Sequence, residues 1–153
     1  MTEAGYELSI SDDVDPEIES IIEGGLAGYN AVKAGYSDAR PLAVLICHSA
    51  PREILGGLIG RTSLGLFFID LIFLPDHLRG HGLGSKVMAA AEAEARRRGC
   101  SAAVLYTITF QAPGFYERLG YQVLGRIECR PPGHSRVCMT KSLSADGGPA
   151  ADG

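Results

Sequence analysis

Residues 78–87 read LRGHGLGSKV, with glycines at 80, 82 and 84 and a basic residue on either side, Arg79 and Lys86. They follow a run, 66–74, in which every residue but Asp70 is apolar, and they open a stretch, 82–98, with helical spacing. A strand that gives way to a helix through such a loop leaves unpaired N–H groups at the helix's first turn, where the helix dipole also favours negative charge. Glycines remove the Cβ atoms that keep an anion from the backbone, and Arg79 and Lys86 add charge. The competing reading is a glycine turn that only redirects the chain. Two familiar phosphate motifs are absent. Ser85-Lys86 follows Gly84 in the wrong order for GxxxxGK[ST], and the acid that a dinucleotide fingerprint needs roughly 20 residues downstream is missing, since no acid lies between Glu94 and Glu117.

Working outward, the 82–98 helix carries Gly84, Met88, Ala91 and Ala95 on one stripe, with Glu92–Arg96 and Glu94–Arg98 as i,i+4 pairs and Gly99 as its C-terminal stop. Upstream, PLAVLICH (41–48), ILGGLIGRT (54–62) and GLFFIDLIFLP (65–75) read as three strands in an antiparallel meander, the last central and covered on both faces. Downstream, AAVLYTITF (102–110) reads as a strand, APGFYERLG (112–120) as a short helix, and YQVLGRI (121–127) and SRVCMTKSL (135–143) as closing strands. Near the start, YELSI (6–10) reads as a first strand and SDDVDPE as a helix start. Gly24, Gly25 and Gly28 predict a break in that helix before Gly35. The implied architecture is α/β, a mixed sheet of about seven strands flanked by helices, with a right-handed crossover around the 82–98 helix. Residues 1–143 read as a single domain and 144–153, small and glycine-rich, as a disordered tail.

The 153 residues are 46% hydrophobic and 21% charged, enough for one core. A formal net charge of −4 argues against a broad basic surface for nucleic acid or anionic lipid. No apolar run approaches the roughly 20 residues of a membrane helix, and the acidic start lacks the order of a signal peptide, so a cytoplasmic setting is expected. Cys47, Cys100, Cys129 and Cys138 have no CxxC spacing and no paired histidines, so no metal and reduced thiols are expected.

The pattern [Q/R]-x-x-G-x-[G/A] is met by Arg79, Gly82 and Gly84, and GFYERLGY (114–121) follows at the spacing of a second motif. In that order the pair resembles the GNAT superfamily of acetyl-CoA-dependent N-acetyltransferases, from about Ile54 to Leu143. The resemblance implies a sheet splayed in the middle with the coenzyme in the cleft. By that resemblance the backbone of Gly80, His81, Gly82, Leu83, Gly84 and Ser85, beside Arg79, holds the pyrophosphate, and the backbone of Leu71, Ile72 and Phe73 pairs with the pantetheine arm. Two departures stand out. Arg79 comes four residues after Pro75, where the family more often has three, and the asparagine common before the last helix is replaced around Thr109 to Gln111, with Gln111 offering an amide in its place.

Acetyl transfer to an amine needs a neutral nucleophile, a stabilised oxyanion and a proton for the departing thiolate. The resemblance puts Tyr116 in the acid's position; the competing reading is a core ring. For the oxyanion, a bulge near Leu71 to Phe73 would free a backbone N–H, which asks nothing of side-chain identity. Asp70 is a candidate base, because an unpartnered carboxylate in an apolar strand is costly; a salt bridge to Arg52 or Arg61 is the competing reading. His134 reads as a turn residue that also has the chemistry to line the acceptor side, and Tyr29, Asn30 and Tyr36 lie in the family's variable acceptor region. The expectation is a transferase acting on a primary amine of a small molecule, with no nucleic-acid or membrane partner and a homodimer as the implied assembly. The alternatives are a protein N-terminus or lysine as acceptor, or a non-catalytic acyl-CoA-binding module.

Overall fold

The computed structural model describes residues 5–144 and the backbone of 2–3; beyond Ser144, the expected tail lies outside the described residues. The chain divides into two compact units, one up to Ser37 and one from Asp38 on. In the first, β1 (Thr2–Glu3) and β2 (Tyr6–Glu7) form a two-stranded antiparallel ladder. The strand expected over 6–10 is therefore shorter and pairs only there. Helix α1 (Pro16–Ala34) follows without the expected break. Asp15 caps it through a 2.9 Å bond from the Ile18 N–H, Pro16 opens it, and Gly35 at φ 87° closes it onto the Ala31 carbonyl. Glycine makes a helix costlier by roughly 1 kcal/mol each without forbidding its dihedrals, and satisfied ends favour one continuous helix.

The second unit is built on a six-stranded sheet of order β3-β4-β5-β6-β8-β7. Its strands are β3 (Arg40–Ser49), β4 (Arg52–Ser63), β5 (Leu66–Phe73), β6 (Ala102–Ile108), β7 (Gln122–Glu128) and β8 (Ser135–Ser142). β3, β4 and β5 form the antiparallel meander, and β5 pairs β6 in parallel across helix α2 (Leu83–Arg97). β8 inserts between β6 and β7, antiparallel to both. The large sheet thus has six strands where the sequence suggested about seven, because the earliest strand pairs elsewhere.

Val87, Met88, Ala91 and Ala95 of α2 pack over one sheet face with Leu58, Phe67, Ile69, Ala103, Leu105, Val137 and Met139. Fully burying side chains such as Leu58, Phe67 and Met88 contributes roughly 1.5–3 kcal/mol each. The helix ends in a Schellman turn: Cys100 N–H reaches the Ala95 carbonyl and Gly99 N–H that of Arg96, with Gly99 at φ 85°. Arg98 then clamps this end to the sheet through the Pro41 carbonyl at 2.9 Å and the Thr62 hydroxyl at 3.1 Å.

Along β5 the alternation reverses. Phe67 and Ile69 face the core, but past Asp70 the inward residue is Ile72, while Leu71 and Phe73 are 65% and 58% exposed. The expectation of a strand covered on both faces is corrected by this. The cause is a bulge: Ile59 pairs Leu71 and Gly60 pairs Ile69, so Asp70 is the extra residue. A one-residue insertion swaps the faces of everything after it. Gly60 permits it, since a Cβ there would collide with the Phe68 carbonyl oxygen.

Candidate active site

Parallel pairing of β5 with β6 runs only from Leu66–Ala102 to Ile69–Leu105. Both strands continue, β5 to Phe73 and β6 to Ile108, so they part at the bulge and the sheet splays in its middle. The β6-facing backbone groups of Leu71, Ile72 and Phe73 have no strand beside them among the described residues. A cavity of about 880 Å³ occupies the opening, lined by that edge of β5, by the glycine loop, by the end of β6 and by helix α3 (Pro113–Arg118).

The loop lines the cavity, with Arg79, Gly80, Gly82, Leu83, Gly84 and Ser85 on the wall. Gly82 is the residue before α2, no side chain caps that end, and its first turn holds no acid. The first helical N–H groups are therefore free for an anion. Gly80 and Gly82 stand at φ 82° and 74° with nothing within 4 Å of a notional Cβ, so they supply both the turn and the open approach. Gly84 differs: a Cβ there would meet the Phe115 ring at 3.1 Å, so this glycine lets α2 and α3 pack closely. Arg79 is engaged within the loop, its Nε on the Leu74 carbonyl at 2.9 Å and a terminal nitrogen 2.9 Å from Asp76. His81 and Lys86 are exposed and absent from the wall.

Tyr116 sits in α3, 8% exposed, its ring edge-on to Phe115 and Tyr121. Burial pushes its phenol above the ordinary tyrosine range, so it stays protonated and is a hydrogen-bond donor at neutral pH. Among the described residues its hydroxyl has no protein partner, and no fully buried side-chain oxygen or nitrogen is left unpaired, so that hydroxyl opens on the cavity Tyr116 lines. Tyr121 contrasts with it: its hydroxyl donates to Glu92 at 2.9 Å, and burial and that carboxylate push its phenol up further. Gln111 turns its amide oxygen into the chain, accepting from the Ile108 N–H at 3.1 Å and the Thr107 hydroxyl at 3.3 Å, while lining the cavity. Ala112 beside it takes φ 114°, a strained conformation for a residue with a Cβ.

Asp70 lies on the wall as the bulged residue, its side chain 44% exposed and one oxygen 2.8 Å from Arg61. Of the two arginines weighed, Arg61 is the partner, and its guanidinium also stacks 4.5 Å over the Phe68 ring. His134 does close a turn, its N–H on the Pro131 carbonyl. Its ring also bonds the Thr109 hydroxyl at 2.9 Å and meets the edge of Phe110, which lines the cavity. Tyr29 and Asn30 lie on α1 and Tyr36 just beyond it, in the first unit. Sequence reasoning passed over Tyr106, Phe110 and Phe115, which also line the cavity; the available signals were the places of Tyr106 near the C-terminal end of β6, of Phe110 in the loop after it and of Phe115 next to Tyr116. Among the described residues no cluster of His, Cys, Asp and Glu could hold a metal, the four cysteines are unpaired, and no helix is long and apolar enough to cross a membrane.

Comparison with known proteins bears on this geometry. The family model described as acetyltransferase (GNAT) family matches residues 18–121. An acetyltransferase of Agrobacterium fabrum is 36% identical over 132 residues, 86% of this chain and 96% of that protein. The blasticidin-S acetyltransferase of Streptomyces morookaense is 39% identical over 109 residues, 69% of this chain and 80% of that protein. A crystal structure from Agrobacterium tumefaciens, of a protein assigned to the acetyltransferases, superposes with a TM-score of 0.81 at 35% identity, over 90% of this chain and 99% of the other.

Proposed function

The chain belongs to the acetyltransferase (GNAT) family and is an acetyl-transferring enzyme, and from that premise we propose that it moves acetyl from acetyl-CoA directly onto a primary amine of a small molecule. One observation carries the reading: the unpaired edge of β5, the uncapped N-terminus of α2 and the free hydroxyl of Tyr116 line one cavity. The residues fit the coenzyme. Free N–H groups at Gly82 to Ser85, with open space over Gly80 and Gly82, suit a pyrophosphate, and the bare edge from Leu71 to Phe73 suits the amide-bearing pantetheine arm as an added strand. Gln111 is on the same wall, and with its amide oxygen taken by Thr107 and Ile108 its NH₂ is left for the coenzyme. Residues 1–143 are read as one catalytic domain, since the family match runs through both units.

Acetyl-CoA supplies the thioester whose C–S bond breaks as the amine's C–N bond forms. The chain's own groups serve that exchange in three ways. A backbone N–H freed at the Asp70 bulge donates to the carbonyl oxygen as it gains charge. Tyr116 gives its proton to the departing sulfur and recovers one from water. Its raised pKa does not bar this, because a thiolate in the same apolar wall also gains basicity from burial. Asp70, which gives Arg61 one oxygen only, takes on the other the proton the amine loses. The blasticidin-S relative acts on a small molecule at 39% identity, which supports an acceptor of that size. A thiol-release screen with acetyl-CoA over small amines, blasticidin S among them, and over peptides with free N-termini or lysines tests the proposal. Release with small amines is expected; release with peptides alone would replace the acceptor class.

A further inference from the structure

Glu92 is 4% exposed and shares the buried stripe of α2 with the apolar Met88, Ala91 and Ala95. A buried carboxylate is costly, and an apolar residue of similar size would pack there. Both its oxygens are engaged: one accepts from the Lys141 ammonium of β8 at 2.7 Å, with Arg96 at 3.9 Å, and the other from the Tyr121 hydroxyl at 2.9 Å. Tyr121 is in turn tied to Tyr116 twice. Its N–H donates to the Tyr116 carbonyl at 3.0 Å in the Schellman turn that ends α3, and the two rings meet edge-on at 6.0 Å. Tyr121 is thus held at its backbone by Tyr116 and at its far end by a carboxylate anchored on α2 and β8.

Resting on the reading of Tyr116 as the acid, we propose that Glu92 and Lys141 act through Tyr121 as positioning residues that hold the Tyr116 hydroxyl at the sulfur's place in the cavity. Ordinary α3 packing needs only the two rings and the main-chain turn. The hydroxyl-to-carboxylate bond adds an anchor outside α3, and with it the precision that proton transfer requires, where a displacement of about 1 Å costs on the order of 10² in rate.

The test is a double-mutant cycle on kcat and KM for acetyl-CoA, with the amine that releases thiol fastest in the screen. Tyr121→Phe, which keeps ring and turn, should lower kcat by roughly 5- to 50-fold with KM for acetyl-CoA changed less than about twofold. In a Tyr116→Phe background the same change should cost less than about twofold more, because its route to the chemistry is gone. Glu92→Gln, which keeps an oxygen for Tyr121 but sets its NH₂ against the Lys141 ammonium, should lower kcat by less than Glu92→Leu, which should match Tyr121→Phe. If Tyr121→Phe does not fold, Glu92→Leu runs the same cycle. Wild-type kcat in Tyr121→Phe, or an equal loss in both backgrounds, overturns the positioning and leaves the acid reading standing. Wild-type turnover in Tyr116→Phe, or no thiol release with any amine, overturns the acid reading and this inference with it.

Discussion

Tyr116 and Tyr121 stand five residues apart, both buried, and differ in where the hydroxyl goes: one opens on the cavity, the other is consumed by Glu92. If the free one is the acid, Tyr116→Phe should lower turnover by roughly 10² to 10⁴ with KM for acetyl-CoA nearly unchanged, equivalent to about 3–5 kcal/mol in the barrier. Steady-state kinetics on a confirmed amine check this; a purely structural ring would keep its rate. The pair also carries a pH signature. Unfolded, both phenols ionise near pH 10, whereas folded they hold their protons to higher pH. The unfolded chain then binds fewer protons, so this share of stability is present in full below about pH 10 and is lost as pH rises toward the folded values. Urea unfolding from about pH 9 to 11 should show a fall that either Phe variant makes shallower. The sequence singled out Tyr116 through its motif, whereas Glu92 read only as an i,i+4 partner of Arg96. Its position four residues after Met88 and one after Ala91 was the signal that it faces inward.

The glycine loop and the start of α3 show how an element's ends carry its chemistry. Gly82→Val puts a branched side chain at φ 74° in the space where an anion would approach the first turn of α2. Affinity for acetyl-CoA should fall by about tenfold or more, and stability by only about 1–2 kcal/mol, the cost of the strained dihedral. Calorimetric titration and thermal melting measure the two; unchanged affinity in a folded variant would move the anion site elsewhere. At the other wall, Ala112→Gly relieves the strain at φ 114° and should raise stability by up to about 1 kcal/mol, since relief outweighs the extra freedom of the unfolded glycine. A melting temperature at or below the wild type would show that the conformation is not strained.

At the scale of the molecule, the cleft exists because two strands stop pairing, and a ligand that bridges them should stabilise the fold. Acetyl-CoA at a hundredfold excess over its dissociation constant should add about 2.7 kcal/mol, or about 5–10 °C in Tm for a chain of this size. ATP and NADH, which lack the pantetheine arm, should shift the melt far less. An equal shift with ATP would mean that the loop binds phosphate alone and that the β5 edge takes no part.

Within contiguous residues the sequence determined a great deal: the three meander strands, the loop, α2 with its stop at Gly99 and the tyrosine-bearing helix. Each depends on periodicity, capping or glycine dihedrals that neighbours in the chain settle among themselves. Only the tertiary structure decided that Asp70 is a bulged residue paired to Arg61, that β8 lies between β6 and β7, and that Glu92 is buried under Lys141 and Tyr121. These are matters of register and partnership between segments, nine residues apart for Arg61 and Asp70 and 49 for Glu92 and Lys141. A slip of one residue in β5 exchanges the strand's faces and opens the cleft, and no local pattern in LFFIDLIF records which strand it will slip against.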